Sequence, residues 1–358
     1  MAGDRSAGLV RRLTGNWRVW LGIGISVFFL VWAFSQVNNF GTVAVALGKA
    51  NYLFLLPALA AYFFGVWLRA VRWHYLLRPL RSLPVGRLFP VVVIGYMAND
   101  VLPARLGEVV RAYVLGEREG LSKSAAFATI AVERVFDGVT MLAFMAAVGV
   151  FVPFDESLRR IFFFAAGIFA AALAAFFVIV GSRSVTQSII GLIPRLLPGR
   201  SRSKAKSIVE RFIVGFDAMR SGRLILATLG FSFGAWIAEA TMYYLVALGF
   251  GLTLPLGAYV LTTAVANLGG MIPSSPGYIG TFELFSLASL SVFGLGADAA
   301  ISYVLVLHAA LLVPVTLLGF FYLWRYGLSF RALQSRSAAP ASSSEGGRSD
   351  QDEALPAG

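Results

Sequence analysis

Apolar residues run along this chain in long continuous stretches rather than in alternation or on one helical face. Six of them, residues 19–37, 52–68, 126–152, 161–181, 224–249 and 299–324, approach or exceed the ~20 residues a helix needs to cross a hydrocarbon core. Two more, 88–102 and 257–272, run into sequence that breaks a helix. The first break reads Asn99-Asp-Val-Leu-Pro103-Ala-Arg105-Leu-Gly107-Glu108. The second reads Asn267-Leu-Gly-Gly-Met-Ile-Pro273-Ser274-Ser275-Pro276-Gly277-Tyr-Ile-Gly280-Thr-Phe-Glu283. Each runs from asparagine through proline and glycine to glutamate, with proline and glycine four positions apart (Pro103 and Gly107, Pro273 and Gly277). Breaks beside polar side chains at membrane depth are tolerated where backbone is buried in protein or lines a wet cavity. Two of them in corresponding places point to a site built by internal duplication, although proline and glycine are also ordinary turn residues.

Charge decides how the broken stretches are placed. With both as re-entrant hairpins, all but four of the 30 lysines and arginines fall on the cytoplasmic side, in the N-terminus, residues 69–123, residues 182–223 and the C-terminal tail. A full crossing at 88–102 moves Arg105, Arg111, Arg118 and Lys123 to the other side. The expected fold is therefore an all-α polytopic membrane protein: six full spans plus two re-entrant broken helices, ordered span, span, re-entrant segment, span, twice over. An odd number of crossings per half makes the second half inverted. The divisions are a cytoplasmic N-terminus (1–18), a first half (19–152), a second half (153–326) carrying a cytoplasmic amphipathic loop (182–223), and a cytoplasmic tail (327–358), disordered from about 335. Ile208, Phe212, Phe216 and Met219 share a helical face in that loop, which suits either a helix lying on the inner leaflet or an ordinary loop helix. The run from Val19, preceded by arginines, reads as a retained anchor rather than a cleaved leader.

Composition narrows the chemistry. The chain is 58% hydrophobic and 13% charged, with mean hydropathy +0.76. Cysteine is absent, so disulfides, thiolate nucleophiles and cysteine zinc sites are excluded; with two histidines, His74 and His308, no metal and no cofactor is expected. The net charge of +12 suits basic cytoplasmic loops better than nucleic acid.

Glu133, Arg134 and Asp137 fall inside the third span, ~13–20 Å along the helix from Ser124. Glu133 and Asp137, four apart, share a face. Each unpaired charge there costs ~2.5–3.5 kcal/mol or more, so all three need inward-facing partners. Arg105, Glu108 and Arg111 of the first break are the natural ones. Such a network can be purely structural or part of a mechanism. The headgroup-binding candidates are Arg105 and Arg111, whose guanidinium groups suit phosphate, with Glu108, Asn99, Ser274, Ser275 and Gly277. Glu239 in the fifth span and Glu283 at the second break extend the intramembrane set. His308 is either bonded to a neighbouring helix or a proton relay. Arg69, Arg72, Trp73, His74 and Tyr75 read as an interfacial belt at the end of the second span, or as a capture point for lipid phosphate.

On residues 69–73, 99–111, Glu133-Arg134 with Asp137, and 273–283, the chain resembles the flippase-like membrane family related to the transmembrane domain of lysylphosphatidylglycerol synthase, which includes YbhN-type, UPF0104-like and hopanoid-associated proteins. The resemblance implies a bacterial inner-membrane or archaeal protein that handles lipids, with translocation between leaflets as its role. It departs from the full synthase in that no soluble aminoacyl-transferase domain follows the last span. The expected partners are membrane lipids (phospholipid, glycolipid, polyprenyl or hopanoid) and lipid-synthesis enzymes. A membrane-embedded transferase acting on a lipid carrier, and a lipid-presenting scaffold, are the rival readings.

Overall fold

The structure is a computed structural model that describes residues 17–37, 39–102, 106–151, 221–270 and 275–328, together with the isolated helical positions 167, 171 and 174. All regular structure among them is helical: α1 (Trp17–Ser35), α2 (Phe40–Lys49), α3 (Leu55–Leu77), α4 (Val85–Val101), α5 (Gly107–Glu119), α6 (Lys123–Phe151), α7 (Gly222–Gly249), α8 (Leu256–Gly269), α9 (Thr281–Ser291) and α10 (Ala297–Arg325), with 3-10 turns at Tyr52–Phe54 and Pro276–Tyr278.

Among the described residues, four helices are long and apolar enough to cross a membrane: α3 with its preceding turn, α6, α7 and α10. The end of α1 and α2 meet at 92° and together pass the same test as one bent pair. The bend is local chemistry. Asn39 leaves the helical conformation, and its side chain accepts the N–H groups of Gly41 and Thr42 to start α2. Apart from the isolated positions 167, 171 and 174, the fourth expected span, 161–181, lies outside the described residues, as do the loop 182–223 up to residue 220 and the tail from 329.

The two broken stretches fold as helical hairpins. Pro84 precedes α4 and Pro255 precedes α8, each in extended conformation, so both hairpins open on a residue that cannot extend the preceding helix. In the first, α4 and α5 run antiparallel. Arg87 reaches Glu119 at the open end (3.4 Å), and Asn99 Oδ1 accepts the Gly107 N–H at the tip (2.7 Å). The arms touch backbone to backbone: a Cβ on Gly107 would lie 2.1 Å from the Gly95 carbonyl oxygen. In the second, Ser289 Oγ donates to Thr262 Oγ1 (2.9 Å), and Gly269 sits against the Phe285 ring, where a Cβ would come within 2.0 Å. Gly277 (φ 71°) and Gly280 (φ 92°) supply the left-handed turns that link α8 to α9.

The halves repeat one packing pattern. Helix α3 lies antiparallel along α7, from the Asn51 N–H bonded to the Gly249 carbonyl (2.8 Å) to Tyr75 stacked on Phe231 (5.3 Å). Around that axis α3 packs on α4 as α7 packs on α8, α5 on α6 as α9 on α10, and α10 crosses α4 as α6 crosses α8. Because α4 follows the C-terminal end of α3, and α8 that of the antiparallel α7, the hairpins open at opposite ends of the bundle. Their tips meet inside it, the Pro276–Tyr278 turn packing on α4. Outward, the long helices are apolar: Leu226, Ile237, Val313 and Leu317 are exposed, while Trp73, Leu76, Leu77, Ile94 and Met97 are buried. This is an integral, multi-pass architecture.

Candidate functional site

Where the hairpin tips meet, a cavity of about 120 Å³ is lined from both halves, by Tyr62 and Arg69 of α3, Tyr96, Asn99 and Asp100 of α4, Arg134 of α6, Trp236 and Glu239 of α7, Asn267 of α8, and His308 of α10. The charged residues here are held by partners. Arg69 donates to Glu239 (2.7 Å) and lies over the Trp236 ring (4.3 Å). Glu239 accepts a second bond from Asn267 Nδ2 (3.0 Å), so the second asparagine tip is held by the carboxylate that neutralises Arg69. Thr316 donates to Asp100 Oδ2 (2.8 Å), and His308 bridges Glu283 (Nδ1, 2.6 Å) and the Gly277 carbonyl (Nε2, 2.8 Å).

Behind one wall lies a denser set of charges. Arg72, fully buried, donates to Asp137 (2.6 Å) and to Ser232 (2.8 Å), and its Nε lies 3.7 Å from Glu133. Arg111 pairs with Glu133 (2.8 Å) and stacks over Trp73 (4.2 Å). Arg134 pairs with Asp137 (3.0 Å) and reaches Glu108 at 4.0 Å, while Trp236 Nε1 donates to Asp137 (2.9 Å). Asn99 Nδ2 contacts Glu108 (3.5 Å). Four guanidinium groups therefore meet four carboxylates across α3, α5, α6 and α7. The balance is what makes a cluster of this size tolerable in a low-dielectric interior. The hydrogen bonding is incomplete: Arg111 Nη2, the Nε atoms of Arg69 and Arg134, and one oxygen each of Glu108 and Glu133 have no partner among the described residues. Guanidinium capacity is left for a further oxygen ligand.

The family described as the lysylphosphatidylglycerol synthase TM region matches residues 19–319. The chain belongs to this family. Among relatives of this synthase membrane region, a UPF0104 membrane protein of Methanothermobacter thermautotrophicus is 28% identical over 276 residues, covering 73% of this chain and 81% of the relative. Glycosyltransferase AglD of Haloferax volcanii is 25% identical over 343 residues, covering 86% of this chain but 54% of the relative, so this chain spans about half the length of that protein. The UPF0104 membrane protein MJ1078 of Methanocaldococcus jannaschii is 25% identical over 186 residues, 52% of this chain and 75% of the relative.

Within this family member the residues expected from sequence separate by position. Asn99, Arg134 and Glu239 line the cavity. Glu108, Arg111, Glu133 and Asp137 form the network behind it. Glu283 backs His308 and also accepts the Gly280 N–H (2.7 Å), capping α9. Gly277 offers its carbonyl to His308, and the Ser275 hydroxyl donates to the Ile279 carbonyl (3.3 Å). Arg105 and Ser274 lie outside the described residues. The expected interfacial belt is largely interior: Arg69 is 3% exposed, and Arg72 and Trp73 are 0% exposed. Their helix runs on to Leu77 and packs against α6 at this level, where Trp73 Nε1 donates to Thr129 (3.0 Å). Sequence reasoning missed Asp100, Asn267 as a Glu239 partner, and the tyrosines. The asparagine that opens each break was the available signal for Asn267.

Proposed function

We propose that this protein is a lipid translocase, which moves an anionic or amphiphilic lipid between leaflets by holding its headgroup in the cavity between the two halves while the tails stay in the bilayer. The observation that carries the reading is the meeting of two hairpin tips, opening at opposite ends of the bundle, at one cavity lined with charge. The hairpin arms have 17, 13, 14 and 11 residues and rise about 16–26 Å, short of the ~30 Å hydrocarbon core, so each hairpin enters and returns on one side. On this reading the fold is the inverted repeat of span, span, re-entrant segment and span, with both termini on the cytoplasmic side of the cytoplasmic membrane. Arg69 and Arg134 reach the cavity and take the phosphate. Asn99 and Asn267 orient it from the two tips. Arg72, Arg111, Glu133 and Asp137 hold α3, α5 and α6 in register and re-pair as the cavity changes sides.

The test is reconstitution in liposomes with a fluorescent phospholipid whose outer-leaflet copies are chemically quenched. The wild-type protein is expected to exchange leaflets faster than protein-free vesicles, and Arg69→Gln with Arg134→Gln to lose at least tenfold. Equal rates with and without protein, or equal rates for wild type and the double variant, overturn the proposal. A membrane-embedded transferase acting on a lipid carrier is the second reading, favoured by the name of one relative, a glycosyltransferase. It predicts covalently altered lipid in the same vesicles when a sugar donor is supplied.

A further inference from the structure

A second cleft, of about 460 Å³, lies outside the charge network, lined by Arg81, Arg87, Val91, Arg118, Glu119 and Tyr326. It forms at the open end of the first hairpin, where α4 begins, α5 ends and α10 ends. Its construction is cationic. Arg118 lies over the Tyr326 ring (3.8 Å), Arg81 donates to the Glu119 backbone carbonyl (2.7 Å), and Arg87 reaches the Glu119 carboxylate at 3.4 Å. Three guanidinium groups thus line a cleft that holds one carboxylate, which only Arg87 reaches. Among the described residues, neither Arg81 nor Arg118 has a carboxylate within salt-bridge distance. Two fixed contacts, the Tyr326 ring and the Glu119 carbonyl, hold these two arginines in place, so less side-chain freedom is lost on binding.

The level of the cleft is set by α10. Phe321 (46% exposed) and Trp324 (78% exposed) face outward just before the helix ends at Arg325, and Tyr326 follows. Large exposed aromatics at the end of an apolar span mark the boundary between hydrocarbon and headgroups. A cleft with net positive charge at that boundary meets lipid phosphates directly, in the leaflet toward which the first hairpin opens.

We infer that this cleft is a binding site for the phosphodiester headgroup of an anionic phospholipid, separate from the central cavity. Arg81 and Arg118 grip the phosphate oxygens, Arg87 is shared between phosphate and Glu119, and the acyl chains remain in the bilayer beside α10. A soluble phosphate compound carries the same oxygens; the lipid is favoured because the cleft opens at headgroup level.

The experiment is a titration of the full chain in neutral detergent with fluorescent phosphatidylglycerol, against competing unlabelled phosphatidylglycerol, phosphatidylcholine and glycerol 1-phosphate. The wild type is expected to prefer phosphatidylglycerol to phosphatidylcholine. Each arginine lost is expected to weaken binding roughly fivefold, and Arg81→Gln with Arg118→Gln together about 30-fold. Arg81→Lys with Arg118→Lys keeps the charge and retains most of the preference; both double variants are checked for an unchanged thermal midpoint. Should the glutamine variant not fold, the lysine variant decides: loss of its preference as sodium chloride is raised supports the site, and indifference to salt overturns it. Equal affinity of wild type and glutamine variant, or of the two lipids for wild type, also overturns it. Displacement by glycerol 1-phosphate at the same concentration as lipid overturns the lipid assignment. Leaflet exchange is not the readout, and the titration is repeated with Arg69→Gln and Arg134→Gln as the background, which removes the central cavity's arginines: the Arg81 and Arg118 substitutions are expected to weaken the remaining binding by the same factors there, so failure here and failure of the translocase reading are told apart.

Discussion

Glu133 faces both Arg111 and Arg72 with its side chain fully buried. Removing one member of a buried charge set leaves its partner uncompensated, at a cost of about 3–5 kcal/mol. Glu133→Gln is therefore expected to lower stability by about 3 kcal/mol or more, read as thermal unfolding in detergent. Glu117, whose pair with Lys123 is 37–40% exposed, is expected to cost under about 1 kcal/mol when changed to glutamine. Equal effects of the two substitutions contradict the arrangement. The four-residue spacing of Glu133 and Asp137 made their shared face legible in the sequence, and the cost of isolated charge made Arg111 and Glu108 legible as partners. Arg69 and Arg72 were not, because a basic and aromatic run closing a span has one pattern whether it meets headgroups or another helix. Only the crossing of α3 with α7 and α6 distinguishes the two.

The hairpin α4–α5 depends on residues that have no side chain. Gly95 sits where a Cβ would strike the Arg111 side chain at 2.2 Å, and Gly107 where it would strike the Gly95 carbonyl oxygen at 2.1 Å. Gly107→Ala must push the arms apart, breaking the Asn99 bond to the Gly107 N–H and shifting Arg111 from Glu133. Overpacking of this kind costs about 1–3 kcal/mol, and here it also disturbs the charge network. Gly86, on the same helix with nothing within 4 Å of a Cβ, is the control: Gly86→Ala is expected to leave the thermal midpoint nearly unchanged. The long helices were readable because continuous apolar runs of their length have few other uses. The break between α1 and α2 was not, since a ten-residue helix opened by an asparagine cap carries almost no periodic signal. The hairpins were readable as interruptions, but their arms' lengths and antiparallel contact came only with the structure.

For the molecule as a whole, the opposed hairpins make a direct prediction. The chain has no cysteine, so single cysteines can be placed without background. Cysteine at Arg87, at the open end of the first hairpin, and at Leu256, at the open end of the second, are expected to react with a membrane-impermeant maleimide from opposite faces of sealed vesicles. Labelling of both from the same face is incompatible with the bundle described. The likeness of the two halves showed in the sequence only as two short similar breaks. The pairwise packing that relates the halves is written in which helix touches which, and no local pattern reports that. Among the described residues, the arginines of the charge network come from α3, α5 and α6, while α7 and α8 contribute Glu239 and Asn267.

The even tally of four guanidinium groups and four carboxylates in the charge network has a consequence for any phosphate that enters. On the translocase reading an incoming negative charge meets guanidinium groups that are already paired, so it competes with the carboxylates held against Arg69 and Arg134 while using the N–H groups they leave without a hydrogen-bond partner. Glu239 and Asp137 then act as tethered competitors, never farther away than their own side chains allow. If the translocase proposal holds, such a site grips its cargo loosely and releases it readily, a property suited to passage rather than storage.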